Sequence, residues 1–173
     1  YMGAKRVVVH SGALGKMTRE EALEYAKTTV KLAQQTADDM GFGHIHLCIE
    51  TMGKINQLGN LDEVMELCKI DDRLLPTIDF GHLNARTLGG LKTYEDFLHI
   101  FDTIENQLGS DRLKIFHSHF SKIEYTKGGE KKHLTFADDV FGPDFDHVAE
   151  IVYKKGLSPV FICESAGTQP EDA

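Results

Sequence analysis

The sequence predicts an α/β fold built on a parallel β-sheet, and two observations lead to this prediction. Five short runs rich in apolar residues alternate along the chain with four longer amphipathic stretches. Strands that alternate with helices in this way pair in parallel through helical crossovers. A chain of 173 residues, 41% of them hydrophobic, is also long enough to form one domain with its own core. We therefore expect residues 1–173 to form a single domain.

The first half of the pattern is set by strong local signals. A β-branched strand is predicted at 6–10, and a second strand at 44–50. Between them, Thr18 opens a helix through a capping box with Glu21, and Gly41 is a suitable residue to end it.

Similar signals place the remaining elements. Asn60 is expected to cap a short helix that runs to residue 68, and Thr93 a longer helix that ends at Gly109. A long polar loop is expected after the fourth strand, and Gly156 is expected to stop the last full helix. The predicted elements are strands at 74–79, 113–119 and 159–164, and a helix at 143–155.

Two architectures fit this order: an open doubly wound sheet, or part of a (β/α)₈ barrel. No Gly-x-Gly-x-x-Gly follows the first strand, which argues against the dinucleotide-binding form of an open sheet. A complete barrel takes about 250 residues. The chain starts without Met and ends in what looks like an unfinished helical turn, so we expect a partial (β/α)₈ barrel made of about its last five strands.

Composition narrows the possible settings and partners. The net charge of −8 argues against general nucleic-acid affinity, although a local basic cleft is compatible with it. The three cysteines contain no Cys-x-x-Cys pair, which indicates a reducing, cytoplasmic setting. No apolar run approaches the roughly 20 residues needed to cross a bilayer. The sheet of an incomplete barrel has an open flank, and self-association with a second copy of the chain could cover it.

Polar side chains lie at or near the end of every predicted strand. Because the carboxyl ends of parallel strands share one rim, these side chains are expected to converge there. Several carboxylates in one partly buried place repel one another unless a cation joins them. Carboxylates with imidazoles are the usual ligands of zinc, manganese or iron. The predicted metal ligands at the strand ends are His10, Glu50, Asp79, His117 and Glu164.

Three further histidines extend this predicted site. His82 follows Asp79 by three residues, and His133 lies in the long loop after the fourth strand. Either histidine could bind a metal or contact a substrate. His119 shares a strand face with His117, so it is a further candidate for the site or for the core beneath it.

With these residues in place, the sequence resembles the endonuclease IV family, the metal-dependent apurinic/apyrimidinic endonucleases within the xylose isomerase-like TIM barrels. The resemblance covers nearly the whole chain, but only the later part of the family's barrel. Its first three strands and last helix have no counterpart here. The matching segments are His10-Ser11-Gly12, Glu50-Thr51, Asp79-Phe80-Gly81-His82, His117-Ser118-His119-Phe120-Ser121-Lys122, His133 and Glu164-Ser165.

The resemblance implies a zinc-dependent hydrolase that cleaves DNA 5′ to abasic sites in base-excision repair, with two or three zinc ions. It implies that the quartet Glu50, Asp79, His117 and Glu164 holds a central metal, with Glu50 bridging to a neighbour held by His10. Glu164 and Glu50 are the predicted catalytic residues, and damaged double-stranded DNA is the predicted partner. Lys122 and His119 are the predicted substrate contacts.

One position departs from the family pattern. His82 and His133 would hold a third metal together with an Asp two residues before His133, where this chain has Lys131. Glu130 or a water molecule would have to substitute for that carboxylate.

Two other functions remain open at this point. Sugar isomerases and epimerases of the same superfamily use a similar Glu, Asp, His, Glu quartet with one manganese, magnesium or cobalt ion. A metal-binding barrel fragment without activity is the third possibility. His10 and His133 favour the endonuclease-like branch, whereas Lys131 and the acidic charge favour the alternatives.

Overall fold

A computed structural model describes residues 3–173, which form one five-stranded sheet, one two-stranded hairpin and seven helices. The elements follow one another as β1 (Arg6–His10), α1 (Arg19–Asp39), β2 (His46–Glu50), α2 (Leu61–Cys68), β3 (Leu75–Asp79), α3 (Phe80–Arg86), α4 (Tyr94–Leu108), α5 (Ser110–Lys114), β4 (His117–Phe120), β5 (Ile123–Thr126), β6 (Gly129–His133), α6 (Asp146–Lys155), β7 (Val160–Cys163) and α7 (Gln169–Asp172).

The large sheet is parallel throughout. Its strands lie in the order β1-β2-β3-β4-β7, and each strand pairs in parallel with the next. The order follows the chain, as in a barrel whose strands are added one at a time with a helix between them. The prediction of a partial (β/α)₈ barrel with five parallel strands is therefore confirmed.

The predicted caps form where expected. Thr18, Asn60 and Thr93 each accept a hydrogen bond from the backbone N–H three residues on, and each is part of a reciprocal capping box. Such caps satisfy backbone donors that a helix start leaves free. They fix the point at which each crossover helix begins.

Three parts of the chain differ from the predicted elements. Helix α3 begins directly after β3, where Asp79 acts as its N-cap and accepts a hydrogen bond from the His82 N–H at 2.8 Å. The loop after β4 contains the β5–β6 hairpin. Residues 113 and 114 of the predicted fourth strand belong to α5, and β4 begins only at His117, although Leu113 and Phe116 are both buried as expected for an apolar run.

The core lies between the sheet and the helices. Phe80 is fully buried, with ring centroids of Phe97, Phe101 and Phe120 at 6.0, 5.9 and 6.2 Å from its own. Burying one such aromatic side chain stabilises the fold by about 1.5–3 kcal/mol. Phe80 directly follows Asp79, so this packing lies immediately beyond the end of β3.

The sheet has two edge strands, β1 and β7, and both carry exposed apolar side chains. Val7 is 46% exposed and Ile162 is 45% exposed. Self-association through this open flank stays a prediction. Among the helices formed by residues 3–173, none combines the length and the apolar character needed to cross a membrane.

Candidate metal centre

The strand register brings the polar strand ends together. His10 is level with Glu50, and Asp79 is level with His119 on the neighbouring strand. Glu164 follows the last residue of β7, and its backbone N–H donates to the Phe120 carbonyl. All five side chains therefore end at the same rim of the sheet, as predicted for the carboxyl ends of parallel strands.

Four of these rim residues form a compact group, which we call the carboxylate cluster: Glu50, Asp79, His119 and Glu164. One possible ligand atom from each lies within 4.8 Å of those of the others. His119 Nδ1 is 2.8 Å from Glu50 Oε1 and 3.2 Å from Glu164 Oε1. Three carboxylates and one imidazole in this space provide an oxygen-rich donor set for a divalent cation.

The structure places His119, rather than His117, beside the three carboxylates of the cluster. The sequence predicts His117 as a ligand of the quartet and His119 as a substrate contact, whereas in the structure His119 is the histidine that lies with the three carboxylates. The reason is register: His117 is level with Thr77, one full side-chain repeat below Asp79. The two histidine rings pack edge to face at 5.2 Å, and His117 Nδ1 is buried with no partner among the described residues.

A second group, which we call the histidine cluster, consists of His82, Glu130 and His133. Glu130 Oε2 lies 3.4 Å from His82 Nε2, and Glu130 Oε1 lies 3.9 Å from His133 Nε2. The rings of the two histidines are 5.5 Å apart. These atoms also lie within 4.8 Å of one another, so the group offers two nitrogens and a carboxylate to one ion.

Hydrogen bonds on the far side of each ring orient the histidine cluster. His82 Nδ1 lies 2.9 Å from the Thr51 carbonyl, which can only accept, so Nδ1 carries the proton. His133 Nδ1 lies 2.8 Å from the Ser121 hydroxyl. The His82 ring therefore presents its Nε2 lone pair, and the Ser121 hydroxyl can accept from His133 Nδ1 in the same way, which is how metal-bound histidines are usually held.

The sequence predicts Glu130 only as a substitute for the family's missing Asp, and in the structure Glu130 lies between the two histidines. Lys131 points the other way, where it and Lys132 pair with Glu124. The signal in the sequence is the spacing Glu130-x-x-His133, which a regular strand would place on opposite faces. Thr51 was likewise missed: its hydroxyl accepts the Asp79 N–H at 2.9 Å, and its carbonyl holds His82.

Burial and mutual interaction shift the pKa values in the carboxylate cluster in opposite directions. Burial raises the pKa of Glu164. Burial also acts on Glu50, but the hydrogen bond and charge of His119 outweigh it and lower the pKa of that carboxyl. Burial would lower the pKa of His119 and of His82, yet the neighbouring carboxylates raise both. For His117, burial lowers the pKa to about 4, because the charge of Glu50 does not outweigh it.

Two other predicted residues lie at different distances from the clusters. His10 Nε2 is 3.3 Å from Glu50 Oε2 on the exposed side, so it borders the carboxylate cluster, and its role as a metal ligand stays a prediction. Lys122 was predicted to contact substrate, but its amine donates to the Asp138 carbonyl at 2.6 Å and pairs with Asp144 at 2.9 Å. The structure thus uses Lys122 to hold the loop before α6.

Both clusters open into one cleft of about 390 Å³. Lys54 and Gln57, from the loop between β2 and α2, add a cation and an amide to its wall. The other lining residues are Val8, His10, Glu50, Met52, His82, His119, Glu130, His133 and Glu164. A polar substrate entering this cleft would meet both clusters at once.

One orphaned atom indicates that the carboxylate cluster is built for a cation. Asp79 is fully buried, and its Oδ2 accepts no hydrogen bond from any described residue. His82 Nδ1 lies 3.2 Å from this oxygen but directs its proton to the Thr51 carbonyl. A buried carboxylate oxygen without a partner is costly, and a metal ion would supply the missing interaction.

Comparison with known proteins assigns the chain to a family. A family model described as xylose isomerase-like TIM barrel matches residues 1–173. An uncharacterized protein of Methanocaldococcus jannaschii is 34% identical over 93% of this chain and 58% of its own length. A probable endonuclease 4 of Oceanobacillus iheyensis is 28% identical over 91% of this chain and 51% of its own length. The chain therefore spans between half and three-fifths of these two relatives.

Solved structures agree on the fold. A D-tagatose 3-epimerase-like protein matches 97% of this chain and 59% of its own, with a TM-score of 0.67 and 21% identity. Endonuclease IV from Thermus thermophilus matches 99% of this chain and 58% of its own, with a TM-score of 0.59 and 19% identity. At such identities the likeness concerns the fold alone. With the family match over residues 1–173 and a relative at 34% identity, the chain belongs to the xylose isomerase-like TIM barrel family.

Proposed function

We propose that the protein is a metal-dependent phosphodiesterase that hydrolyses DNA 5′ to abasic sites, with zinc ions at the two clusters. The observation that carries this proposal is the histidine cluster beside the carboxylate cluster in one cleft. A single-metal enzyme needs only the first cluster. Phosphodiester hydrolysis commonly uses two or more metals placed side by side.

The donor sets fit the proposed ions. The carboxylate cluster would hold one ion through Glu50, Asp79, His119 and Glu164, and the histidine cluster another through His82, Glu130 and His133. His10, next to Glu50, is placed to contribute to a third. Bound there, the metals would supply charge to the developing phosphoryl oxygens and an acidified water.

The residues themselves have distinct tasks in this proposal. Glu50 and Asp79 are almost completely buried, so they hold position and charge. Glu164 is the accessible carboxylate of the cluster, with 33% of its side chain exposed, and it can orient or deprotonate a water that enters the cleft. Lys54, on the same wall, is placed to meet a phosphate.

Sugar isomerisation or epimerisation with one manganese or magnesium ion is the alternative that the carboxylate cluster alone would serve equally well. Two glutamates facing one another across a bound sugar could move a proton between carbons. That reading leaves the histidine cluster without a task. Relatives named as probable endonuclease 4 also support the phosphodiesterase, although they span about twice the length of this chain.

The decisive experiment offers both substrates to the full-length protein. A duplex with one abasic site is incubated with zinc-loaded protein, and a ketose panel is incubated with manganese-loaded protein. Cleavage 5′ to the abasic site supports the proposal. Epimerised ketose without cleavage overturns it in favour of the isomerase, and neither reaction overturns it in favour of a metal-binding barrel without activity.

A further inference from the structure

The β5–β6 hairpin contains one residue more on β6 than on β5. Tyr125 pairs with Glu130 and Glu124 with Lys132, so one step along β5 corresponds to two along β6. The additional residue is Lys131. Such an insertion is a β-bulge, in which two neighbouring side chains leave the strand on the same side.

The ion pairs show this arrangement directly. Lys131 and Lys132 are consecutive, yet both reach Glu124, on the solvent side of the hairpin. Side chains of a regular strand alternate, so Glu130 and His133, three residues apart, would otherwise face opposite ways. The bulge cancels the alternation once. Glu130 and His133 therefore both face the cleft, where they meet His82.

Backbone hydrogen bonds between the hairpin and the loop after β2 set the distance between Glu130 and the rim of the sheet. The Glu130 N–H donates to the Gly53 carbonyl at 3.1 Å, and the Ile55 N–H donates to the Gly128 carbonyl at 3.1 Å. These two backbone hydrogen bonds join the hairpin to the loop after β2. A Cβ on Gly53 would lie 2.6 Å from Glu130 Cβ and 3.0 Å from His82 Cδ2, closer than real Cβ atoms normally come.

Gly129 completes the close approach. Its φ of +89° is a conformation that side chains rarely adopt, and a Cβ there would lie 2.2 Å from the Gly53 carbonyl oxygen. Two glycines thus face one another at the point where the hairpin crosses the loop. Neither leaves room for a side chain, so Glu130 reaches the histidines without displacement.

We propose that the bulge at Lys131 makes Glu130 the carboxylate ligand of the histidine cluster, and that Gly53 is the positioning residue for this ligand. The proposal rests on the metal sites of the proposed function. A carboxylate two residues before His133 would face the cleft from a regular strand. Here the spacing is three, and the one-residue bulge restores the same face.

The first test moves the carboxylate by one position. Zinc equivalents bound by the full-length protein are counted by calorimetric titration for the wild type, Glu130→Gln, and Glu130→Gln with Lys131→Glu. Both variants should bind one equivalent fewer than the wild type, because a carboxylate at position 131 faces Glu124 and solvent. Deletion of Lys131 from the wild type removes the bulge and should keep the zinc equivalent at the histidine cluster. Glu130 then stands two residues before His133, so a regular strand places both on the same face.

The second test isolates Gly53. Gly53→Ala should weaken zinc binding at the histidine cluster about 10–100-fold, the usual effect of disturbing the surroundings of a metal ligand. In the Glu130→Gln background, where the equivalent at the histidine cluster is already lost, the same change should leave the remaining equivalents in place. Gly142→Ala, where a Cβ would meet nothing closer than 3.7 Å, is the matched control.

Each outcome decides the proposal independently of DNA cleavage. If adding Lys131→Glu restores the lost equivalent, or Glu130→Gln loses none, the bulge argument is wrong. If Gly53→Ala binds zinc like the wild type, Gly53 is not a positioning residue. If all variants bind as expected and the wild type leaves abasic DNA intact, the proposed function fails while the ligand assignment stands.

Discussion

His119 Nδ1 lies 2.8 Å from Glu50 Oε1, so the imidazole at the end of β4 is joined directly to the most buried glutamate of the rim. The strand carries a second histidine two residues earlier, and the two are similar in type and burial. Only the strand register separates them. Asp79 is level with His119, and Thr77 is level with His117.

Replacing His119 should therefore abolish tight metal binding at the carboxylate cluster, whereas replacing His117 should not. We expect His119→Ala to lower zinc affinity there by at least about 100-fold, since it removes a ligand rather than its support. His117→Ala is the matched control on the same strand. Zinc titration of both variants checks this, and an equal loss in the two would return His117 to the quartet.

Glu164→Gln should reduce turnover by about 10²–10⁴-fold, the range associated with general acid–base groups. The change keeps the size of the side chain and removes its ability to take up a proton. Cleavage of the abasic duplex by the full-length protein is the measurement, with Glu150→Gln on the outer face of α6 as the control. Wild-type turnover in the Glu164 variant would contradict the proposed site.

Most of the fold could be predicted from the sequence because its signals are local. Capping boxes at Thr18, Asn60 and Thr93 fix helix starts within one turn, and five apolar runs fix the strands. The rim carboxylates followed from the parallel order. These features depend on residues close together in the chain or on the two-residue repeat of side chains along a β-strand.

What the sequence did not predict depends on non-local geometry. The choice of His119 over His117 requires the stagger between β3 and β4, which no local pattern encodes. The cleft-facing position of Glu130 requires a bulge. In the sequence, Glu130 and His133 are three residues apart, and a regular strand would place them on opposite faces. Helix α3 was missed because its cap, Asp79, looked only like a metal ligand.

Arg86 should be needed to hold the loop between β2 and α2, which forms part of the cleft wall. Its guanidinium donates to the carbonyls of Met52, Lys54 and Gln57 at 3.1, 2.8 and 3.0 Å. Hydrogen bonds to charged groups contribute about 1.5–3 kcal/mol, so Arg86→Met should speed amide exchange of Ile55 by about tenfold or more. Arg112→Met, which loses bonds to remote carbonyls, should leave that amide unchanged, and equal exchange in wild type and variant would refute the role.

Arg73 predicts a defined acid sensitivity. Its guanidinium bonds to Asp38 and Asp71 and lowers the pKa of both carboxyls, which joins the end of α1 to the loop before β3. Groups with a lowered folded pKa stabilise the fold above their unfolded pKa of about 4, and this contribution is lost as the pH falls through the folded value. The stability difference between wild type and Arg73→Met should be constant from about pH 7 to 5 and vanish in strong acid. Denaturant titrations across this range measure it, and a difference that grows below about pH 4 would contradict the pairing.

Phe80 links the stability of the core to the geometry of the metal rim. The side chain is completely buried among three other phenylalanines, and the preceding residue is Asp79, whose carboxylate both caps α3 and belongs to the carboxylate cluster. Phe80→Ala should cost about 3–5 kcal/mol in unfolding free energy, because the cavity it leaves cannot be filled by the surrounding rings. The loss should also weaken zinc binding, since the end of β3 is then held less firmly.

Tyr153→Ala, at a side chain that is 88% exposed, should change stability by no more than about 0.5 kcal/mol and leave zinc binding intact. If Phe80→Ala lowers stability as expected and binds zinc with unchanged affinity, the rim is held by strand pairing and the α3 cap alone, and core packing has no part in positioning Asp79.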